Sequence, residues 1–255
     1  MKILGVIPAR YGSTRFPGKP LADILGKPMI WWVYRQAKKA KKLTDLVVAT
    51  DDKRITDVCD QYKIPWIMTQ TTHQTAANRL YEVSTSQEFD YYIQINGDEP
   101  LMDPNWIDAV VLRDIPSDIE FGVGLVTKIS NPIEVIDPSN IKVVFDNNYN
   151  TLYMSRSPIP YPFKSLEYNY YKHIGVIGYN KKMLKLYHDT KPGVTEKIEG
   201  IDSLRFNDYA KQFKSIEVPP CDSLSVDTPK DLETIITRIK QKFKKGELDE
   251  FKIIL

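Results

Sequence analysis

Residues 3–9, ILGVIPA, form a nearly continuous apolar run, the pattern of a strand buried on both faces of a parallel sheet. Residues 10–21, RYGSTRFPGKPL, are polar and punctuated by glycine and proline, so they predict a loop. Over residues 28–42 the apolar side chains Ile30, Val33, Tyr34 and Ala37 recur at helical spacing. Residues 45–52 read as a second strand ending in Asp51 and Asp52, residues 53–63 as a second helix and residues 64–69 as a third strand. A third helix over residues 75–86 and a fourth strand over residues 90–100 repeat the alternation. Strands alternating with helices imply right-handed crossovers, so the expected class is α/β, with a doubly wound and mostly parallel sheet.

The pattern changes near residue 120. Residues 121–129 and 141–155 read as longer, partly antiparallel strands, the second stretch turning at Asp146-Asn147-Asn148. With the SPIPYPF segment they predict a smaller mixed-β subregion at the sheet edge, residues 121–180 of a single domain running from 1 to 255. Residues 173–180 read as another strand, residues 181–189 as a helix and residues 211–219 as a late strand. An amphipathic helix over residues 228–245 closes the chain, with Thr228 as its cap, Pro229 in its first turn and a lysine cluster on its solvated face. Ligands of doubly wound sheets bind beyond the carboxyl ends of the strands, and the polar clusters here follow Ala9, Thr50 and Asn96. The stretch TTHQTAANRL carries His73, Asn78 and Arg79 and admits two readings, a ligand-facing loop or a helix start capped by Thr75.

Composition acts mainly by exclusion. Hydrophobic residues make up 42% of the chain and charged residues 27%, near the average for soluble globular proteins. The 35 basic and 33 acidic residues leave a formal net charge of +2, which calls for neither nucleic acid nor an acidic membrane surface. No apolar run approaches the roughly 20 residues of a membrane span, and the apolar N-terminal stretch is too short for a signal peptide. The expectation is a cytoplasmic protein without membrane insertion, its Cys59 and Cys221 both reduced.

Two clusters carry candidate chemistry. The first loop holds Arg10, Arg15 and Lys19, with Gly12, Ser13 and Gly18 between them. Small residues admit an anion to backbone N–H groups, and the cations neutralise phosphate charge. This loop follows a strand and precedes a helix, where phosphates are commonly held, although it is not a Walker A loop. The second cluster is INGDEP, where Asp98 ends a buried strand beside Glu99. Such a carboxylate suits Mg²⁺, which takes one or two protein carboxylates plus phosphate oxygens. Asp227 precedes the last helix and either caps it or joins Asp98, since Thr228 is available as the cap. Asp51-Asp52 reads as a pair that turns the chain, and His73, His173 and His188 lack metal-ligand spacing. No G-x-S-x-G elbow or Cys/His arrangement argues for covalent catalysis.

The motifs IPARYGSTRFPGKPL, VVATDDKRI, MTQTTHQTAANRL, INGDEPL, IKVVFD, YMSRSPIPY, KHIGVIGY, EKIEGIDSLR and SVDTPKDLE run over nearly the whole chain. In that order they resemble the CMP-Kdo synthetases, the 3-deoxy-manno-octulosonate cytidylyltransferases of the sugar-nucleotide transferase superfamily. The resemblance implies a Rossmann-like nucleotidyltransferase fold, a homodimer, CTP and a small acidic acceptor as ligands, and Mg²⁺ as cofactor. It implies that Arg15, Lys19, Asp98 and Asp227 are catalytic, with Asp98 and Asp227 on the metal. Nucleotide contacts fall to Pro8, Ala9, Arg10, Gly12, Ser13, Arg15 and Lys19, and to Ala76, Ala77, Arg79 and Asp98. Acceptor contacts fall to Asn96, Arg156, His173, Ile177, Asp202 and Ser203. The implied reaction is attack of a sugar acid's anomeric hydroxyl on the α-phosphorus of CTP, catalysed by positioning and charge neutralisation. Departures from the family pattern gather beside the base and the acceptor: Ala76-Ala77-Asn78 replaces Gly-Thr-acidic, Asn96 replaces Gln, Ile177 replaces Tyr, and Asp202-Ser203 replaces Glu-Gln. They point to an acceptor other than standard Kdo, whether a modified octulosonate, another acidic sugar or a small acidic or phosphorylated metabolite. A different nucleotide and a catalytically silent nucleotide-binding homologue are the other readings.

Overall fold

The computed structural model describes the chain except residues 14, 166, 221–223, 249–250 and 252–255. Strand β1 (Ile3–Ala9) leads through the polar loop and a short hairpin, β2 (Asp23–Ile24) with β3 (Lys27–Pro28), into helix α1 (Met29–Ala37). Then come β4 (Asp45–Thr50), α2 (Lys53–Gln61), β5 (Trp66–Met68), α3 (Ala76–Ser86) and β6 (Tyr91–Ile95). Next are α4 (Pro104–Ala109), β7 (Gly122–Lys128), α5 (Pro132–Ile136), β8 (Lys142–Phe145) and β9 (Thr151–Ser155). The chain continues as β10 (Tyr171–Asn180), α6 (Lys181–Asp189), α7 (Val194–Glu199), α8 (Leu204–Asp208), β11 (Phe213–Val218) and α9 (Pro229–Lys244).

The main sheet runs β11-β7-β10-β6-β1-β4-β5. It is mostly parallel, as the alternation predicts: β1 lies parallel between β4 and β6, and β11 lies parallel to β7. β10 is the antiparallel member, paired with β6 on one side and β7 on the other. Strands β7 and β10, which the sequence pattern groups with the edge subregion, are therefore built into the main sheet. The length of β10 explains this. One edge pairs with β7, while the other pairs with β6 over Val176–Asn180 and then with β8 at Lys172. The β8–β9 hairpin leaves the sheet at that point, turning at residues 146–150.

Alternation along β1 sends its side chains into two layers. Ile3 and Ile7 pack with Trp32 of α1, Ile107 of α4 and Ile239 of α9. Leu4 and Val6 pack with Leu80 of α3, Leu184 of α6 and Phe206 of α8. Trp32 meets Phe243 and Phe251 at ring-centroid distances of 6.3 and 5.2 Å, docking the end of the chain on α1. Helix α1 stops at Ala37, short of residue 42, because the lysines that follow have no core face to cover. Helices α4, α5, α7 and α8 have five or six residues each, too few for a 3.6-residue period to register in the sequence. Cys59 is buried in the first layer, and burial pushes its thiol up to about 12; Cys221 lies outside the described residues. Among the described residues no helix is long and apolar enough to cross a membrane.

Gly178 on β10 lies directly under the fully buried ring of Tyr91, whose hydroxyl donates to the Val110 carbonyl at 3.2 Å. A Cβ there collides with that ring. Gly178→Ala is expected to lower the unfolding free energy by about 1–3 kcal/mol in urea titrations. Gly12→Ala, whose Cβ meets nothing within 4 Å, is expected to change it by less than about 0.5 kcal/mol. Equal midpoints for the two variants would contradict this packing.

Candidate active site

Strand order reverses at β1: the chain passes to β4 and β5 on one side, then returns to β6 on the other. The crevice beyond the carboxyl ends of β1 and β6 is the switch point where such sheets bind ligands. Gly97 lets the two ends approach, since a Cβ there would stand 3.0 Å from the Pro8 carbonyl oxygen. Two adjoining cavities open here, of about 360 and 260 Å³. Both are walled by Pro8, Ala9, Arg10, Gly97 and Asp98.

The smaller cavity is the cationic one. Ser13, Arg15, Lys19 and Asp227 complete its wall. The Tyr11 carbonyl accepts from the N–H groups of Ser13 at 3.0 Å and Gly18 at 2.9 Å, closing the loop on itself. Gly18, at φ 70°, lies against the Tyr11 ring. The other side of this anchor is Arg54, whose guanidinium stacks over Tyr11 at 3.2 Å and pairs with Asp52. Asp52 in turn caps α2 through the Arg54 N–H at 2.9 Å. Hydrogen bonding to Arg54 holds its carboxyl below the usual carboxylate range. The pair Asp51-Asp52 thus does more than turn the chain.

Lys19 Nζ donates to Asp98 Oδ2 at 2.7 Å and to Asp227 Oδ1 at 3.3 Å, and Arg15 reaches the same Asp227 oxygen at 3.0 Å. Asp98 Oδ1 is buried without a partner. Asp227 is carried there by the Val226 N–H, which donates to the Asp98 carbonyl at 2.9 Å. Thr228 and Asp231 cap α9 between them, so the Asp227 carboxylate is left for the cavity. Next to Asp98, Glu99 is buried and its Oε2 is unpartnered. Burial, reinforced by the Asp98 charge, raises it to about 8. Glu99 packs with Asn96 against Gly175, where no side chain fits.

The larger cavity adds the TTHQTAANRL stretch, through His73, Gln74, Thr75, Ala76 and Arg79, and also Asn96 and Asp202. Both readings of that stretch hold. Thr75 Oγ1 accepts from the Asn78 N–H at 3.2 Å and donates to Asn78 Oδ1 at 2.8 Å, so Asn78 serves the cap of α3. His73 faces the cavity while its Nε2 is hydrogen-bonded to Glu82, which also accepts from the Gln70 N–H at 3.0 Å. Arg79 is 3% exposed, paired with Asp51 at 2.7 Å and hydrogen-bonded to Thr69. Asp202 is pushed up to about 6 by burial and by the neighbouring Glu196, with Arg205 and Arg10 opposing.

The remaining candidates from the sequence line neither cavity. Ala77, Ile177 and Ser203 are buried in packing, and Gly12 is exposed on the loop. Arg156 gives its guanidinium to the carbonyls of Pro138, Glu199 and Gly200. His173 sits half-buried on β10 with Nδ1 unpartnered, and burial pushes it down to about 4. Asp51, Glu82 and Glu99 are contributors the sequence reading did not single out. Each pairs with or packs on a group distant along the chain or read there as unremarkable, so only Glu99, within INGDEP, carried a local signal.

A switch-point crevice with a cation-rich loop, paired aspartates and an adjoining polar cavity suits a phosphate-bearing ligand beside a second small molecule. Residues 4–216 match the family described as Cytidylyltransferase. A 3-deoxy-manno-octulosonate cytidylyltransferase of Leptospira biflexa is 42% identical over 247 residues, 94% of this chain and 98% of that relative. An 8-amino-3,8-dideoxy-manno-octulosonate cytidylyltransferase of Shewanella piezotolerans is 38% identical over 243 residues, 94% of this chain and 99% of that relative. The solved structure of a CMP:2-keto-3-deoxy-manno-octonic acid synthetase complexed with CTP matches with a TM-score of 0.89 at 36% identity, covering 95% of this chain and 100% of that one. The chain belongs to the cytidylyltransferase family.

His173 offers a test of this geometry. A histidine whose folded pKa is about 4 against 6.5 when free is protonated first in the unfolded chain. Its neutral form therefore supports folding fully above about pH 6.5, and that support is lost as pH falls toward 4. Unfolding free energies measured by denaturant across this window are expected to fall more steeply for the wild type than for His173→Gln. Parallel curves would show that His173 is not held neutral.

Proposed function

We propose that this chain is a cytidylyltransferase that couples CTP to an acidic sugar of the 3-deoxy-octulosonate type, giving the CMP-sugar and pyrophosphate. The observation that carries the reading is the pair of cavities meeting at Asp98: a cationic one sized for phosphates beside a polar one for base and acceptor. Relatives with this activity in their names align over 94% of the chain.

Arg15, Lys19 and the Ser13 region would hold the triphosphate, their charges opposing the negative charge that spreads over the reacting phosphate. Arg10 lines both cavities, which supports a role for it beside the α-phosphate, between the triphosphate and the rest of the nucleotide. Ala76 and the α3 amino end lie on the base side, with Arg79 held rigid by Asp51 and Thr69. Asn96 and Asp202 face the acceptor's share of the larger cavity. The acceptor's anomeric oxygen bonds to the α-phosphorus, the bond to the pyrophosphate oxygen breaks, and the hydroxyl proton is released. Orientation does most of this work, because a bound pair reacts without the entropy loss of encounter.

Asp98 and Asp227 fit Mg²⁺ on their own chemistry: Asp98 Oδ1 is buried and unpartnered, and hard cations take oxygen ligands. Among the described residues no three His, Cys, Asp or Glu side chains gather to hold a metal, so phosphate oxygens and water would complete the coordination. When bound, the ion supplies further neutralisation of the phosphates.

The reading is tested by pyrophosphate release from CTP and a panel of sugar acids with Mg²⁺. Turnover is expected with octulosonates, loss of turnover on chelation, and a fall of at least about 100-fold in kcat for Lys19→Met and for Asp98→Ala with folding retained. Pyrophosphate release from no acid in the panel would sink it.

The same reading carries a cytoplasmic homodimer. The exposed apolar side chains Ile133, Ile136, Tyr161 and Phe163 support self-association, being 70, 72, 82 and 91% exposed. Sedimentation equilibrium is expected to give twice the chain mass, and to give the monomer for the double variant Ile136→Asp/Phe163→Asp. A monomeric wild type would overturn this.

A further inference from the structure

Pro8, Ala9 and Ala76 give the larger cavity small apolar surfaces of the kind that cover the faces of a flat ring, and His73 shares the wall with them. The fold holds the His73 ring in place. Its Nε2 is hydrogen-bonded to Oε2 of Glu82 on α3, and the same oxygen accepts from the Gln70 N–H at 3.0 Å. A carboxylate only accepts, so Nε2 carries the proton. The neutral ring is then left with a lone pair on Nδ1, because the bond made by one ring nitrogen sets the state of the other. The His73 side chain keeps 13% of its surface exposed. Nδ1 bonds to no described residue and is not sealed off from solvent. In a residue that lines the cavity, it is the ring atom left for a ligand.

A hydrogen-bond acceptor of fixed character tells one pyrimidine from another. At ring position 4 cytosine carries an amino group that donates, whereas uracil, like thymine, carries a carbonyl oxygen that accepts. The amino group pairs with a bare Nδ1. The carbonyl would set two lone pairs against each other. A hydroxyl in the same place could turn to suit either base, so the discrimination rests on the proton that Glu82 holds at Nε2.

We propose that His73 is a specificity-determining residue that accepts a hydrogen bond from the amino group of cytosine, and that Glu82 is the positioning residue that fixes its proton on Nε2 and thereby excludes uracil. This deepens, and rests on, the cytidylyl-transfer reading.

The test has two parts. Nitrogen-15 NMR of the wild type is practicable because the chain has three histidines. At alkaline pH, where imidazole is neutral, His73 is expected to be protonated at Nε2 and bare at Nδ1. Its Nδ1 resonance is expected to move on addition of CTP and not of UTP. Pyrophosphate release with an octulosonate acceptor and Mg²⁺ then gives the ratio of kcat/KM for CTP over UTP. The wild type is expected to favour CTP by about 100-fold or more. His73→Asn and Glu82→Gln are each expected to lower that ratio by about tenfold or more, because a side-chain amide donates as well as accepts. Asn serves either base, and Gln satisfies either form of the ring. Variants that lose both nucleotides together and keep the ratio would show that the pair only pins the loop to α3, which overturns the proposal. A wild type that uses UTP as well as CTP, or a ring protonated at Nδ1, overturns it too, and all three results leave cytidylyl transfer intact. The NMR part needs no variant, so it decides even where a substitution prevents folding. Pyrophosphate release with neither nucleotide would instead remove the reading beneath it.

Discussion

One ammonium group joins the parts of this site. Lys19 Nζ contacts Asp98 and Asp227, residues 79 and 208 positions further along the chain. Through that contact the loop after β1, the end of β6 and the segment before α9 meet at one point. The arrangement also solves a problem of charge. Arg15 and Lys19 are drawn together on Asp227, and like charges so placed repel unless carboxylates sit between them. Asp98 and Asp227 supply that balance, so the two cations are held in place by the fold itself.

The backbone delivers these side chains by close approach and by division of labour. Gly97 lets the β6 end run against Pro8, which brings Asp98 beside the first loop. The Val226 N–H bonds the Asp98 carbonyl, and Thr228 with Asp231 takes over the capping of α9. Asp227 is thereby freed from the local hydrogen bonding that an aspartate before a helix otherwise enters. On the far side, Arg54 and Asp52 pin Tyr11 and with it the base of the loop. The same region thus uses one aspartate of a pair to cap a helix and the other, Asp51, to neutralise Arg79.

Around the larger cavity the pairing of charges is itself informative. Rigid, internally neutral pairs such as Glu196–Arg205 and Asp51–Arg79 build walls that do not compete for ligand.

The α/β class and the run from β1 to β6 were legible in the order of apolar runs and periodic helices, since those patterns are local consequences of burial. The cation-rich loop, INGDEP and the Thr228 cap were legible too, because each is a short stretch with its own chemistry. Other features were decided only by the fold. β10 enters the main sheet antiparallel because its partners β6 and β7 are distant in sequence. Arg156 is bound to backbone carbonyls, and Ala77, Ile177 and Ser203 are packed away from the cavities, facts that no spacing along the chain encodes. Asp51, Glu82 and Glu99 gained their meaning from neighbours that folding brought to them. The sequence by itself determined which elements form and which residue types could bind phosphate. The tertiary structure decided which of those charges meet, because pairing energies depend on distance and burial, and both are set only when the sheet closes around them.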